Sequence, residues 1–247
     1  MIIGLTIVAM GTSAPEAAVS VTSSLAGQND MSVANVVGSN FFNVLVVLGV
    51  SSIIAKLPVQ EETIKKDTPF LILVSILLLV FGINLKLGRI EGLALLGLFT
   101  YFLVNTIKSA KKATEDDSLE TGETAIAIET QTSSEISLPK TILVSLVGIA
   151  GIVLGGDMVV NSATSIATSL GMSANLVGLT IVAVGTSLPE FVTSIVAIKK
   201  GETEIAIGNV IGSNLFNILL VLGLAAVINP ISVSYTHLRA HETRSNL

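Results

Sequence analysis

A duplicated segment is the feature that most constrains the fold of this chain. Residues 4–49 align with residues 178–223 at an offset of 174 without an insertion, and 24 of the 46 aligned positions are identical. The identity is strongest in two motifs. G-L-T-I-V-A-x-G-T-S-x-P-E lies at residues 4–16 and 178–190, and G-S-N-x-F-N lies at residues 38–43 and 212–217. The fold must therefore contain two copies of one structural unit.

Composition places both copies in a membrane. Of the 247 residues, 51% are hydrophobic and only 13% are charged, whereas soluble domains carry roughly 25% charged residues. An apolar run of about 20 residues spans a bilayer as a helix, because hydrocarbon cannot satisfy exposed backbone groups. We predict an all-α membrane protein with seven such segments, at residues 1–26, 31–55, 68–85, 90–107, 138–169, 174–198 and 204–228.

The first and sixth segments contain Gly-Thr-Ser followed by proline, which predicts a bent or broken helix. Five segments separate the start of one copy from the start of the other. Because five is odd, the copies enter the membrane from opposite sides and form an inverted-topology repeat, in which ion sites lie near the midplane where broken helices meet.

Four regions follow from this division. Residues 1–108 form the first membrane repeat, 109–138 an acidic polar linker, 139–231 the second repeat, and 232–247 a polar tail that we interpret as non-native sequence. The linker is too polar to bury a core of its own.

Basic residues predict the orientation, because cytoplasmic loops are enriched in lysine and arginine. Taking the segments as alternating, one side has only Lys86 and Arg89. The other side has nine, which are Lys56, Lys65, Lys66, Lys108, Lys111, Lys112, Lys140, Lys199 and Lys200. We therefore expect the linker to be cytoplasmic. As a separate expectation, the membrane is the plasma (inner) membrane.

Two carboxylates are the leading candidates for function. Glu16 and Glu190 occupy equivalent positions within apolar segments, where a charge is costly and by default indicates function. Thr12 and Ser13 precede Glu16 by four and three residues, so we expect all three side chains to share one helical face. Thr186 and Ser187 repeat this spacing before Glu190. Pro15 and Pro189 would free carbonyls near Gly11 and Gly185.

The second motif adds further oxygen atoms to each copy. Ser39 and Asn43 are four residues apart on one helical face, and Ser213 and Asn217 repeat them. Hard cations such as Ca²⁺ take six to eight oxygen ligands, which this set supplies without nitrogen or sulfur. The competing interpretation is a protonated glutamate hydrogen-bonded to a neighbouring helix.

Other polar and small residues of the segments have simpler interpretations. Interhelical hydrogen bonding and ion ligation remain equally open for Asn35, Asn40, Asn209 and Asn214. Close packing is the simplest role for Gly38, Gly151, Gly155 and Gly212. We place Asp157 outside the site, near a helix end.

Several classes of function are disfavoured. The chain has no cysteine, and its two histidines, His237 and His241, lie near its end, so thiolate sites and a buried histidine site are excluded. No phosphate-binding loop occurs. An intramembrane enzyme is disfavoured because acid and base roles need two unlike carboxylate environments. We expect no enzymatic activity and no cofactor, and as partners only the lipid bilayer and small cations, with no nucleic acid or protein partner indicated.

The doubled motifs G-T-S-x-P-E and G-S-N-x-F-N resemble those of the calcium/cation antiporter superfamily, most closely its prokaryotic sodium/calcium exchanger branch. The resemblance covers residues 1 to about 230. It implies ten helices in two inverted halves, alternating access, and Ca²⁺ export driven by Na⁺. It also implies Glu16 and Glu190 as principal ligands, with a shell of Thr12, Ser13, Ser39, Asn43, Thr186, Ser187, Ser213 and Asn217.

Two departures from the family pattern affect these expectations. Some members carry aspartate where this chain has Asn43 or Asn217, so the site here has a formal charge of −2. That leaves the stoichiometry open and H⁺ or K⁺ as alternative coupling ions. The family also has one helix before the first motif and two after the second, so we expect a fragment with seven of ten helices, whose own ability to transport is open. A passive cation channel is a weaker alternative, because inverted broken helices favour alternating access.

Overall fold

The helices of this chain include two equivalent sets, one in each repeat. The computed structural model describes residues 4–84, 86–120, 138–171, 180–181 and 183–232. Within these residues, four helices are long and apolar enough to cross a membrane, and they are Met31–Ile54, Arg89–Ser109, Leu146–Ser169 and Thr203–Ile228. The predicted helical membrane architecture is confirmed.

The first repeat opens with a broken helix. A π-helical turn, Gly4–Val8, leads into α1 (Ala9–Thr12), and α2 (Ala14–Leu25) follows after a break at Ser13. Pro15 lies in the first turn of α2, where its missing N–H costs nothing. The predicted break is confirmed.

The elements that follow range from a two-residue strand to two helices of 32 residues, the second of which opens the second repeat. They are α3 (Asn29–Phe42), a π-helical turn (Asn43–Leu48), α4 (Gly49–Ile54), a π-helical turn (Thr63–Asp67), α5 (Thr68–Gly82), β1 (Lys86–Leu87), α6 (Arg89–Glu120) and α7 (Leu138–Ser169). Helix α6 continues past the predicted end at residue 107 into the linker. Residues 108–120 contain no glycine or proline and include good helix formers such as Lys, Ala and Glu, so nothing in them stops the helix.

The described elements of the second repeat follow the order of their counterparts in the first. They are α8 (Ala183–Thr186), α9 (Leu188–Lys199), α10 (Thr203–Phe216), a π-helical turn (Asn217–Leu222) and α11 (Gly223–Ile228). Each begins and ends 174 positions after its counterpart. Residues 174–179 and 182 of the predicted sixth segment lie outside the described residues, as do 233–247 of the predicted tail.

The same glycine turn ends the first motif helix of each repeat. Gly27 follows α2 with φ 74°, and Gly201 follows α9 with φ 81°. Glycine adopts this left-handed conformation without a steric penalty, which lets the chain reverse into α3 and α10.

A short strand pair joins the two halves at one end. β1 pairs antiparallel with β2 (Ile231–Ser232), with Lys86 opposite Ser232 and Leu87 opposite Ile231. This contact cannot be predicted from the sequence, because neither strand is long enough to show an alternating pattern.

Helices of the two repeats approach each other most closely at glycine residues. A Cβ atom at Gly212 in α10 would lie 2.5 Å from the carbonyl oxygen of Leu5, and one at Gly4 would lie 2.7 Å from the carbonyl oxygen of Ile205. The predicted close packing is therefore confirmed for Gly212. It is wrong for Gly151 and Gly155, since no atom of the described chain lies within 4 Å of a Cβ placed there.

The main apolar core lies where helices of the first repeat cover the second. Helices α5 and α6 pack on α10, α11 and the π-helical turn between them, and the rings of Phe99 and Phe216 meet edge to face at 5.7 Å. Buried members of this core include Val74, Leu95, Phe99, Leu215, Phe216, Leu219 and Leu222.

Candidate functional site

Two buried carboxylates mark the centre of the molecule. Glu16 and Glu190 are both 0% exposed and lie in the first turns of α2 and α9, directly after the helix breaks. The N-terminal end of a helix carries a partial positive charge that favours an anion there. The breaks therefore allow each apolar segment to hold a carboxylate at mid-length.

Each carboxylate is held by a serine from the opposite repeat. Ser13 Oγ donates to Glu190 Oε1 at 2.7 Å, and Ser187 Oγ donates to Glu16 Oε1 at 3.0 Å. Ser13 and Ser187 occupy the cap positions of α2 and α9 but make no side-chain cap. The predicted placement of Ser13 and Glu16 on one helical face is wrong, because the break at Ser13 directs its hydroxyl across to the other copy.

Ser39 connects the two repeats at Glu16. Its Oγ donates to Glu16 Oε1 at 3.1 Å, lies 2.8 Å from Ser187 Oγ, and accepts a hydrogen bond from Asn217 Nδ2 at 3.1 Å. One carboxylate, two hydroxyls and one amide from four helical segments are thus in direct contact.

Each of the two motif threonines contacts an asparagine of the opposite repeat. Thr12 Oγ1 lies 3.1 Å from Asn209 Oδ1, and Thr186 Oγ1 lies 3.2 Å from Asn35 Oδ1. Asn35 donates to the carbonyl of Glu16 at 3.2 Å, and Asn209 donates to the carbonyl of Glu190 at 3.3 Å. Interhelical hydrogen bonding therefore accounts for Asn35 and Asn209.

A second set of asparagines orients Asn43 and Asn217. Asn43 Nδ2 donates to Asn214 Oδ1 at 3.1 Å, and Asn217 Nδ2 donates to Asn40 Oδ1 at 3.0 Å. Asn40 and Asn214 also donate to each other's backbone carbonyls, at 3.3 and 3.4 Å. The amide nitrogens of Asn43 and Asn217 thus each donate a hydrogen bond, whereas their side-chain oxygens have no hydrogen-bond partner among the described residues.

Five buried side-chain oxygens at this centre have no hydrogen-bond partner among the described residues. They are Glu16 Oε2, Glu190 Oε2, Asn43 Oδ1, Asn217 Oδ1 and Ser213 Oγ. Buried polar atoms are nearly always paired, since an unpaired one loses its hydration without compensation. Carboxylate, amide and hydroxyl oxygens are the ligands that hard cations prefer. The donor set therefore fits Ca²⁺ or Na⁺.

All ten residues predicted for the site are buried, and hydrogen bonds join six of them, Ser13 with Glu190, and Glu16 with Ser39, Ser187 and, through Ser39, Asn217. Thr12, Thr186 and Asn43 contact other asparagines instead. Among the described residues, no group of three or more His, Cys, Asp or Glu side chains could hold a metal ion. A bound cation would therefore depend on two carboxylates and neutral oxygens. The side chain of Asp157 lies outside the described residues.

Two serines next to the asparagines are not among the residues predicted for the site. Ser20 accepts from Asn35 Nδ2 at 2.9 Å, and Ser194 accepts from Asn209 Nδ2 at 3.1 Å. Both positions are serine at the 174-residue offset, and this identity is the feature of the sequence that could have identified them.

Comparison with known proteins identifies similar sequences over most of the chain. The model of the family described as sodium/calcium exchanger protein matches residues 1–108 and 140–243. The putative antiporter CaxA of Alkalimonas amylolytica is 44% identical over 93% of this chain and 70% of its own length. The sodium/calcium exchanger MaX1 of Methanosarcina acetivorans is 31% identical over 94% of this chain and 75% of its own length.

A solved structure matches the fold as well. The sodium-calcium exchanger NCX_Mj aligns with a TM-score of 0.77 and 31% identity, over 94% of this chain and 72% of that one. The fold and the doubled motif define a membrane cation antiporter, a transporter rather than an enzyme. The chain belongs to the sodium/calcium exchanger protein family.

Proposed function

We propose that this protein exchanges Ca²⁺ for Na⁺ across the plasma (inner) membrane, at the site built around Glu16 and Glu190. The observation that carries the proposal is the set of five unpartnered buried oxygens contributed by both repeats. A cation would replace the hydration these atoms lack.

Charge favours competition between the two ions. The paired carboxylates carry a formal charge of −2 when ionised, which one Ca²⁺ neutralises and three Na⁺ exceed. Because both ions need the same oxygens, joint occupancy is penalised, and reciprocal coupling makes each ion displace the other. Competition of this kind is what exchange requires.

Alternating access is supported by the arrangement of the site. Glu16 and Glu190 lie on broken helices from opposite repeats, and their serine contacts are exchanged between those repeats. Movement of some helices against the others would change these contacts from one side of the membrane to the other.

Membrane location and orientation belong to the same proposal. A relative that is 38% identical over 93% of this chain is the inner membrane protein YrbG of Escherichia coli. The nine-to-two distribution of basic residues supports a cytoplasmic linker at residues 109–138. The proposed partners are the lipid bilayer and the transported cations, and the proposed activity needs no cofactor.

Transport measurements test the proposal directly. We would reconstitute the protein in liposomes and measure Ca²⁺ uptake driven by an outward Na⁺ gradient, for the parent, Glu16→Gln and Glu190→Gln. Loss of one ligand carboxylate should weaken Ca²⁺ binding on the order of 100-fold or more and abolish uptake. Glu61→Gln, at a solvent-exposed carboxylate paired with Lys65, is the matched control and should retain uptake.

The coupling ion is tested in the same vesicles. A partial match to the sodium/potassium/calcium exchanger 3 of Homo sapiens, 37% identical over 32% of this chain, supports testing K⁺ as well. Uptake driven by a pH or K⁺ gradient would retain the site and change the coupling ion. Conductive flux without stimulation by Na⁺ on the opposite side would indicate a channel, and folded protein without uptake under any gradient would contradict the proposal.

A further inference from the structure

Four asparagines, two from each repeat, are hydrogen-bonded to one another between α3, α10 and the π-helical turns that follow them. Asn40 and Asn43 belong to the first repeat, and Asn214 and Asn217 are their equivalents at the 174-residue offset. Asn43 and Asn217 each begin a π-helical turn, and such local changes of helix type are frequent at functional sites. They are predicted ligands, whereas the role of Asn40 and Asn214 in cation binding is open.

An asparagine amide can offer a cation only its oxygen, so the orientation of the amide matters. Its nitrogen carries two N–H donors and no acceptor, and its oxygen only accepts. The two ends are similar in size, so their hydrogen-bond partners decide which end points where. A neighbour that presents an acceptor to the nitrogen therefore directs the oxygen of the same amide the other way.

Asn214 presents such an acceptor to Asn43. Asn214 Nδ2 donates to the backbone carbonyl of Asn40 at 3.4 Å. Because a carbonyl can only accept, this bond fixes the orientation of the Asn214 amide and turns its Oδ1 toward Asn43. Asn43 Nδ2 donates to that oxygen at 3.1 Å. Asn43 Oδ1 is then left as a buried oxygen without a hydrogen-bond partner in the described part of the chain.

Asn40 does the same for Asn217, but with additional support from a serine. Asn40 Nδ2 donates to the carbonyl of Asn214 at 3.3 Å, and Asn217 Nδ2 donates to Asn40 Oδ1 at 3.0 Å. Asn217 Nδ2 also donates to Ser39 Oγ at 3.1 Å. Ser213 Oγ, the equivalent of Ser39, has no hydrogen-bond partner among the described residues. The orientation of Asn217 is therefore supported twice and that of Asn43 once.

Burial increases this difference between the repeats. Asn214 is 3% exposed, whereas Asn40 is only partly buried. Water can replace a lost acceptor at a position that it reaches, but not at a fully buried one. Without Asn214, the amide of Asn43 is free to turn its nitrogen toward the carboxylates of the site. A cation must then displace that donor before it can bind.

We propose that Asn40 and Asn214 are positioning residues for cation binding, which turn the side-chain oxygens of Asn217 and Asn43 toward the site, and that Asn214 has the larger effect. This inference rests on the proposed function. Substitution of a residue that orients a metal ligand typically weakens metal binding by roughly 10- to 100-fold. We therefore expect Asn214→Leu to weaken Ca²⁺ binding about tenfold or more, and Asn40→Leu to weaken it less.

A double-mutant cycle tests whether Asn214 acts through Asn43. The dissociation constant for Ca²⁺ is measured by equilibrium titration of the full chain in detergent micelles, for the parent, Asn214→Leu, Asn43→Ala and the double variant. Na⁺ is titrated in the same way. Leucine has the branched shape of asparagine and offers no hydrogen bond. The effect of Asn214→Leu should largely disappear once Asn43 is alanine, because no amide is then left to orient.

The matched control combines Asn214→Leu with Asn217→Ala. The amide of Asn217 is held by Asn40 and Ser39 rather than by the side chain of Asn214, so the two fold-changes should multiply. A merely structural role of Asn214 would weaken binding equally in every background. Thermal unfolding checks that each variant is folded. Asn40→Leu with Asn217→Ala is the equivalent cycle in the other repeat, and it decides if Asn214→Leu does not fold.

Two outcomes would overturn the inference. Fold-changes that multiply in both same-amide cycles would exclude a positioning role, and a larger effect of Asn40→Leu than of Asn214→Leu would exclude the proposed difference. Failure of the exchange proposal is separate. A parent that binds Ca²⁺ or Na⁺ without Na⁺-driven uptake contradicts exchange alone, and the cycles are then decided with the cation that binds. A folded parent that binds neither cation contradicts both proposals.

Discussion

Helices Met31–Ile54 and Thr203–Ile228 are equivalent in the two repeats, yet they occupy opposite environments. Leu45 is 68% exposed, whereas its equivalent Leu219 is 0% exposed. Both helices have the same local structure, with a π-helical turn at the same place. Local structure therefore follows from the repeated sequence, and burial follows from what packs on each copy.

Helices α5 and α6 are the cause of the difference. They belong to the first repeat but pack on the second, and the backbone of α6 approaches α11 so closely that a Cβ at Gly92 would lie 2.9 Å from the carbonyl oxygen of Gly223. At the 174-residue offset, a counterpart of α5 would begin at residue 242, outside the described residues. Met31–Ile54 therefore has no such cover among the described helices.

The largest expected effect is at the glycine crossing of α10. Gly212→Ala would place a methyl group 2.5 Å from the carbonyl oxygen of Leu5. Backbone atoms cannot yield as a side chain can, so we expect a loss of about 3 kcal/mol in the free energy of unfolding. Gly49→Ala is the control on the exposed helix, since nothing lies within 4 Å of a Cβ there. Unfolding in mixed detergent micelles measures both, and equal losses would contradict the comparison.

Leu219 and its equivalent Leu45 test whether packing by α5 and α6 causes the difference in burial. Leu219→Ala should leave a cavity beneath α6 and cost about 2 kcal/mol, whereas Leu45→Ala should cost under about 0.5 kcal/mol. The loss at Leu219 comes mainly from packing contacts, because lipid provides no hydrophobic driving force between helices. The same micelle titration provides the measurement. A comparable loss at Leu45 would show that something covers Met31–Ile54.

Local structure can be predicted from this sequence, whereas contacts between the two repeats cannot. The helix breaks at Ser13 and Ser187 follow from Gly-Thr-Ser-x-Pro, and the bounds 138–169 of α7 were predicted correctly, because both are properties of local sequence. Contacts between copies are different. The bond from Ser13 to Glu190 spans 177 positions, and the cover on α10 comes from α5 and α6, so neither can be predicted from the spacing within one helix.

Equal effects are expected where the repeats have equal contacts. Asn35 and Asn209 each brace a motif glutamate and accept from a threonine of the other repeat. Asn35→Ala and Asn209→Ala should therefore each cost about 1 kcal/mol, and the two losses should agree within about 0.5 kcal/mol. The variants are compared by thermal unfolding in one detergent. A loss of stability in only one of the two variants would show that the repeats also differ in the contacts around Glu16 and Glu190.

The smallest effect concerns Asp67, which ends the π-helical turn before the covering helix α5. Burial, and to a lesser extent the nearby Glu62, raises the pKa of this half-buried carboxyl to about 6, although Lys66 opposes the shift. The folded state then holds a proton that the unfolded chain releases between about pH 4 and 6.

Stability should therefore fall as the pH rises through that window and stay level above it. Asp67 remains in contact with water, so the change should be well below the roughly 1.4 kcal/mol that one pKa unit represents at full strength. Asp67→Asn should remove this dependence and raise stability slightly at pH 7, because no charge is then buried beneath the helix that covers the second repeat. The check is thermal unfolding at pH 4.5 and pH 7, with Glu61→Gln as the exposed control. An unchanged pH profile in Asp67→Asn would mean that another group controls the titration.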